Sequence, residues 1–131
     1  MNVYPNYWIV QGGGGIETFA AVPLTINEML LQSYEDVIRV FPNWNSEKDA
    51  SFENLRAYGA FLVTSTLKQG KIQGVTVISE KGRICKIENP WKGQAVLLMR
   101  KDKKTDVLYG EYLQIPTAVG ERIELSLYTK P

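Results

Sequence analysis

The chain has 131 residues, 44% of them hydrophobic and 22% charged, which fits one globular domain with a sizeable core and excludes wholesale disorder. With 15 basic and 14 acidic side chains the net charge is +1, so no electrostatic footprint for nucleic acid and no polybasic membrane anchor is present. A single cysteine, Cys85, and no histidine exclude an intramolecular disulfide, a Cys/His zinc cluster and an imidazole base.

Residues 1–22 read as irregular, with Pro5 and four successive glycines, Gly12 to Gly15. Glycine loses the most backbone entropy on ordering, so the run predicts either a flexible loop or a tight loop that brings backbone N–H groups to a ligand. No Gly-Lys-Ser/Thr follows, and a phosphate-binding P-loop is not expected. Glu17 follows the run and is a candidate acid or base; a solvated loop carboxylate is the plainer reading. Thr25 with Glu28 three residues on forms a capping box, and Ile26, Met29 and Leu30 recur at helical spacing. These predict a helix over 25–35.

Beyond Asp36 the period becomes two. Phe61, Val63, Ser65 and Leu67 alternate with Leu62, Thr64 and Thr66, and Ile123, Leu125 and Leu127 with Glu124, Ser126 and Tyr128. Shorter candidate strands are 37–41, 72–79, 83–88, 95–100, 107–109 and 112–116. Between them fall turn signals at Gln69-Gly70, Lys81-Gly82, Asn89-Pro90 and Val119-Gly120. Residues 43–54 read as a polar connection crossing between sheets. The expected architecture is mainly β: an antiparallel β-sandwich of about seven to nine strands with one N-terminal α-helix. Residues 1–36 form a Gly-rich segment plus helix, and residues 37–131 the sandwich.

Trp8, Trp44 and Trp91 are candidates for stacking on sugar rings, against the alternative that they fill the core. Trp91, in Asn89-Pro90-Trp91, is expected to be the most exposed and Trp44 the second platform. Arg100, Lys101, Lys103 and Lys104, interrupted by Asp102, read as a solvated hairpin tip, and Cys85 as a buried inert thiol. No metal or other cofactor is expected. No run reaches the roughly 18 apolar residues of a membrane span. No charged start followed by an apolar run marks a signal peptide.

Three stretches together resemble a known family. Ile26-Asn27-Glu28-Met29-Leu30-Leu31-Gln32-Ser33 is followed by Val37-Ile38-Arg39-Val40-Phe41-Pro42. Then come Asn54-Leu55-Arg56-Ala57-Tyr58-Gly59-Ala60-Phe61 and Ser79-Glu80-Lys81-Gly82. In this order they resemble the C-terminal part of glycoside hydrolase family 95 α-L-fucosidases and their uncharacterised relatives. The match is spread over about residues 11–90. The resemblance implies the end of a catalytic (α/α)6 barrel followed by an accessory β-sandwich. Glu17 then stands at the offset from Glu28 where the family has a catalytic aspartate, within an otherwise divergent loop. Tyr34 stands where the family has a histidine. The barrel and the partner carboxylate would precede residue 1, so no glycosidase activity is expected from this chain alone. The parent family is often secreted or periplasmic. The implied partner is the barrel, or a second copy of the chain held through the helix. The alternatives are an independent carbohydrate-binding module that takes a glycan, and a small enzyme using Glu17.

Overall fold

The computed structural model describes residues 2, 3, 9, 10 and 16–130, with side chains from Ala20 onward. Strands β1 (Asn2–Val3) and β2 (Ile9–Val10) pair antiparallel. Helix α1 runs Ile16–Leu30. Ten further strands follow, in two sheets. They are β3 (Leu31–Gln32), β4 (Val37–Val40), β5 (Ala50–Ala57), β6 (Phe61–Lys68), β7 (Lys71–Ser79), β8 (Cys85–Glu88), β9 (Val96–Arg100), β10 (Thr105–Leu108), β11 (Tyr112–Ile115) and β12 (Glu121–Leu127).

The larger sheet has the order β10-β9-β12-β7-β6-β5, the smaller β11-β8-β4-β3. Every pairing is antiparallel except β4 with β8. Alternation sets the faces: Phe61, Val63 and Leu67 of β6, Val75 and Val77 of β7, and Ile123 and Leu125 of β12 turn inward. Opposite them lie Ile38 and Val40 of β4, Cys85 and Ile87 of β8, and Leu113 and Ile115 of β11. Together they form one continuous core. The expected mainly β sandwich with one helix is the observed fold.

Three local expectations differ from the structure. Helix α1 begins nine residues earlier than the capping box indicates and ends at Leu30. Thr25 is not its cap; its hydroxyl donates to the Ala21 carbonyl four residues back, inside the helix. Ala20 and Ala21, strong helix formers, precede Pro23, which the helix carries internally. The chain leaves the helix into β3, and the Phe41 N–H closes on the Leu30 carbonyl at 2.7 Å. Because β3 pairs with β4, the sandwich begins at Leu31 and not after residue 36.

The second difference is β5, which lies partly within the expected 43–54 connection. Its register shifts between Phe52 and Leu55 where an extra residue bulges out, with Asn54 at φ 53°. Phe52, Leu55 and Ala57 all face inward, so the spacing along the strand is three and then two. The remaining connection, 41–49, does cross from the smaller to the larger sheet. The third difference is number, with ten strands in the two sheets against about seven to nine expected.

The chain crosses between the sheets on both sides of β8 and of β11, and each end carries a polar clasp. At one end Asn89, 2% exposed, donates through Nδ2 to the carbonyls of Gln94 (2.9 Å) and Gly110 (3.0 Å). Its Oδ1 accepts the Trp91 N–H at 2.9 Å, and its own N–H donates to the Glu111 carbonyl. At the other end Ser79 accepts the Gly82 N–H and shares a hydrogen bond with Thr117, whose hydroxyl reaches the Arg83 carbonyl. Arg100 pairs with Glu121 at 2.6 Å, and the Ala118 N–H donates to the other Glu121 oxygen.

Partial burial works to raise the Glu121 carboxyl, but the Ala118 amide and the Arg100 guanidinium outweigh it and hold the group below its usual range. A depressed folded pKa adds stability that is present above the unfolded value of about 4.3. That stability is lost as pH falls through the folded value. The thermal midpoint should therefore fall below about pH 4.3, and less steeply in Glu121→Gln. Identical acid slopes for the two proteins in a calorimetric pH series would contradict this.

Gly82 sits at φ +66°, and a Cβ there would meet the Val119 nitrogen at 2.8 Å. Gly82→Ala should lower stability by about 1–3 kcal/mol, as read by urea unfolding. A loss below about 0.5 kcal/mol would show that the Val119 turn yields freely.

Candidate functional site

The residues singled out by sequence fall in different places. Trp8 lies outside the described residues. The Glu17 backbone is in the first turn of α1 rather than in a loop, and its side chain lies outside the described residues. Glu17 and Glu28 share the helix, eleven residues apart, a rise of about 16 Å.

Trp91 is 8% exposed, not an open turn residue; its indole N–H donates to the Ile72 carbonyl at 3.2 Å. Trp44 is half-buried against the core, and its indole N–H donates to the Lys48 carbonyl at 2.9 Å. Both rings serve connections between the sheets. Cys85 is fully buried, and burial pushes its thiol up to about 12, which leaves no thiolate at neutral pH. The basic turn is the solvated β9–β10 tip. Arg100 is taken by Glu121, and Lys104 approaches Asp102 at 3.5 Å.

Among the described residues the exposed aromatics are instead tyrosines: Tyr34, Tyr58, Tyr109 and Tyr112. Tyr58 and Tyr109 each precede a glycine with positive φ, Gly59 at 86° and Gly110 at 123°. The Tyr-Gly pair at a turn is the sequence signal that would have found them. It presents the ring at the tip while the glycine takes the reversal.

Two clefts carry three of these rings, Tyr34 and Tyr58 in one and Tyr109 in the other. One, of about 430 Å³, lies where α1 meets the edge of the sandwich. Leu24 and Glu28 of the helix face Leu55, Arg56 and Tyr58 across it, with Tyr34 at the β3–β4 turn. The Tyr34 hydroxyl donates to the Glu28 carboxylate at 2.9 Å, and that bond and the carboxylate charge hold the phenol above its usual pKa. The Ser33 hydroxyl accepts the Tyr58 N–H at 3.0 Å, which ties β3 to the end of β5. Arg56 is paired with Glu80, whose carboxyl it lowers. Glu35 and Asp36, beside Tyr34, both hold positive φ, a conformation that costs energy and gathers at functional turns.

The second cleft, of about 540 Å³, lies between the 89–94 turn and the 109–111 connection, with Asn89 at its floor. Tyr109, Glu111, Glu88, Lys92 and Gln94 line it.

Among the described residues no group of three Asp, Glu or Cys side chains could hold a metal ion, and no helix is long and apolar enough to cross a membrane. The chain matches no protein-family model and no curated protein.

Proposed function

We propose that the chain is a non-catalytic accessory domain that docks onto a larger neighbour through α1 and the cleft beside it. The neighbour is the catalytic barrel of a family 95-like glycoside hydrolase, as the order of the motifs from Ile26 to Gly82 implies. One observation carries the docking: Leu24, Tyr34 and Tyr58, 61%, 60% and 76% exposed, line the same junction cleft. The core cluster does not need the helix; it starts at Leu31, with Leu30 packed against its edge, and no described residue of α1 is buried. A helix carrying Leu24, Ile26 and Met29, with Glu28 as its one charge beyond Ala20, gains from being covered. Each large side chain fully covered contributes roughly 1.5–3 kcal/mol.

In the absence of the neighbour a second copy is the available cover, and twofold pairing is its usual form. Sedimentation equilibrium of the 131-residue chain at micromolar concentration should show self-association that Leu24→Ser with Tyr58→Ser removes, the thermal midpoint of the monomer being unchanged. A clean wild-type monomer that also binds no apolar dye would overturn the docking reading.

The non-catalytic part has its own test. The purified chain should not turn over an aryl α-L-fucoside, and turnover that disappears in Glu17→Gln would refute it.

A further inference from the structure

The second cleft is built differently from the first, and its chemistry points to a small ligand rather than a docking partner. Its two walls belong to separate connections, 89–94 and 109–111, and the Asn89 side chain is bonded to both. Asn89 is buried, and all its side-chain hydrogen-bonding atoms that face the walls are engaged by backbone. The cleft is therefore formed before anything binds, and little ordering opposes occupation. Its volume of about 540 Å³ lies within the range of small-molecule sites.

Tyr109 stands at its rim, 74% exposed. The neighbouring Tyr112 is engaged differently, with the Lys86 ammonium 5.7 Å from its ring centroid. Tyr109 carries no such cation among the described residues and presents an open ring face.

The charges on the rim cancel. Glu88 is held by Arg39 at 3.1 Å and approached by Lys92 at 3.9 Å. Arg39 lies outside the cleft and neutralises Glu88 by pairing, which leaves Lys92 and Glu111 as one base and one acid on the rim. An anionic ligand would meet Glu111, and a polycation would meet Lys92. Glu111, which has no side-chain ion-pair partner among the described residues, and the Gln94 amide offer hydrogen bonds to hydroxyls.

An open aromatic face, polar groups beside it and no net charge match a neutral pyranose, which has an apolar C–H face and hydroxyl edges. We propose that this cleft binds a neutral sugar residue, stacked on Tyr109 and hydrogen-bonded by Glu111 and Gln94. The proposal deepens the carbohydrate-binding alternative and stands whether or not α1 docks on a neighbour.

The test is an amide-resolved NMR titration of the full chain with L-fucose, D-galactose and N-acetyl-D-glucosamine. D-Glucosamine and D-galacturonate, at the same ionic strength, serve as charged counterparts. At least one neutral sugar should shift the amides of Gly93, Gln94, Gly110 and Glu111 saturably, with a Kd on the order of 1 mM. Tyr109→Ala should weaken that binding about tenfold without moving the thermal midpoint, and Tyr109→Phe should retain it. Three results would overturn the proposal. One is no saturable shift from any of the three neutral sugars. Another is a shift that survives Tyr109→Ala or maps to other amides. The third is a response to a charged counterpart alone, which would make the cleft an ion site.

Discussion

Replacing Asn89 by alanine should lower the stability of the domain by roughly 3–5 kcal/mol. The side chain is 2% exposed and makes three bonds to backbone, at Gln94, Gly110 and Trp91. Alanine leaves those two carbonyls and one N–H in a nearly dry site, and a buried unsatisfied group costs about 1–3 kcal/mol. The loss is not confined to one turn. Asn89 joins the β8–β9 and β10–β11 crossovers, so its removal loosens two of the links between the sheets. Asn89→Asp is a sharper probe. It keeps the shape and the acceptor for Trp91 but removes both donors and adds a charge that the Gln94 and Gly110 carbonyls repel. Urea unfolding should place Asn89→Asp at least as low as Asn89→Ala. A loss under about 1 kcal/mol in both would mean that the two crossovers hold without the clasp.

Ile123→Ala should cost about 2–5 kcal/mol. Strand β12 lies inside the larger sheet, bonded to β7 on one side and β9 on the other, and Ile123 is fully buried opposite Val77. Flanked on both sides, the backbone cannot collapse into the space that the side chain leaves, and the cavity adds to the lost transfer energy. Ile123→Val should cost only about 0.5–1.5 kcal/mol. Glu124, the next residue, faces outward and pairs with Arg122 along the strand surface. Glu124→Ala should stay within about 0.5 kcal/mol of wild type. Equal losses at positions 123 and 124 in denaturant unfolding would contradict the inward and outward assignment of β12. Marginal domains hold about 5–15 kcal/mol in all, so either large loss should lower the thermal midpoint by about 10 °C or more.

Much of the sandwich was legible because its signal is local. Strands β6, β7 and β12 keep strict alternation through their buried stretches, and a period of two is written in the order of residues. The turns were legible for the same reason: Gly70, Gly82 and Gly120 take positive φ where a reversal was expected. Strand β5 was not, because the bulge at Glu53-Asn54 puts Phe52 and Leu55 on one face at a spacing of three. A bulge is set by the pairing with β6, which a window of sequence does not contain. The helix start misled in a related way. Thr25 and Glu28 have the residue types and spacing of a cap, but the same hydroxyl can bond a carbonyl four residues back once the helix has already begun.

The candidate sites were less legible still. Tryptophan chemistry made Trp91 and Trp44 reasonable sugar platforms, and residue type alone cannot tell a platform from a plug. Trp91 is buried because Asn89 folds the turn inward and the Ile72 carbonyl accepts its indole N–H. Among the described residues the exposed rings are tyrosines, and only Tyr58 and Tyr109, at turn tips, carry a sequence signal, the following glycine.

The sequence by itself determined the class of fold, the buried faces of the long strands, the inertness of Cys85 and the balanced charge. These depend on composition and on the spacing of residues along one strand. Only the tertiary structure decided which aromatics face water, where the helix meets the sheet and which connections form the walls of a cleft. Glu88 and Glu111 lie far apart in the chain and meet because β8 pairs with β11, and Leu24 meets Tyr58 where the helix runs onto the sheet edge. Exposure and proximity belong to that pairing, whereas periodicity belongs to the single strand.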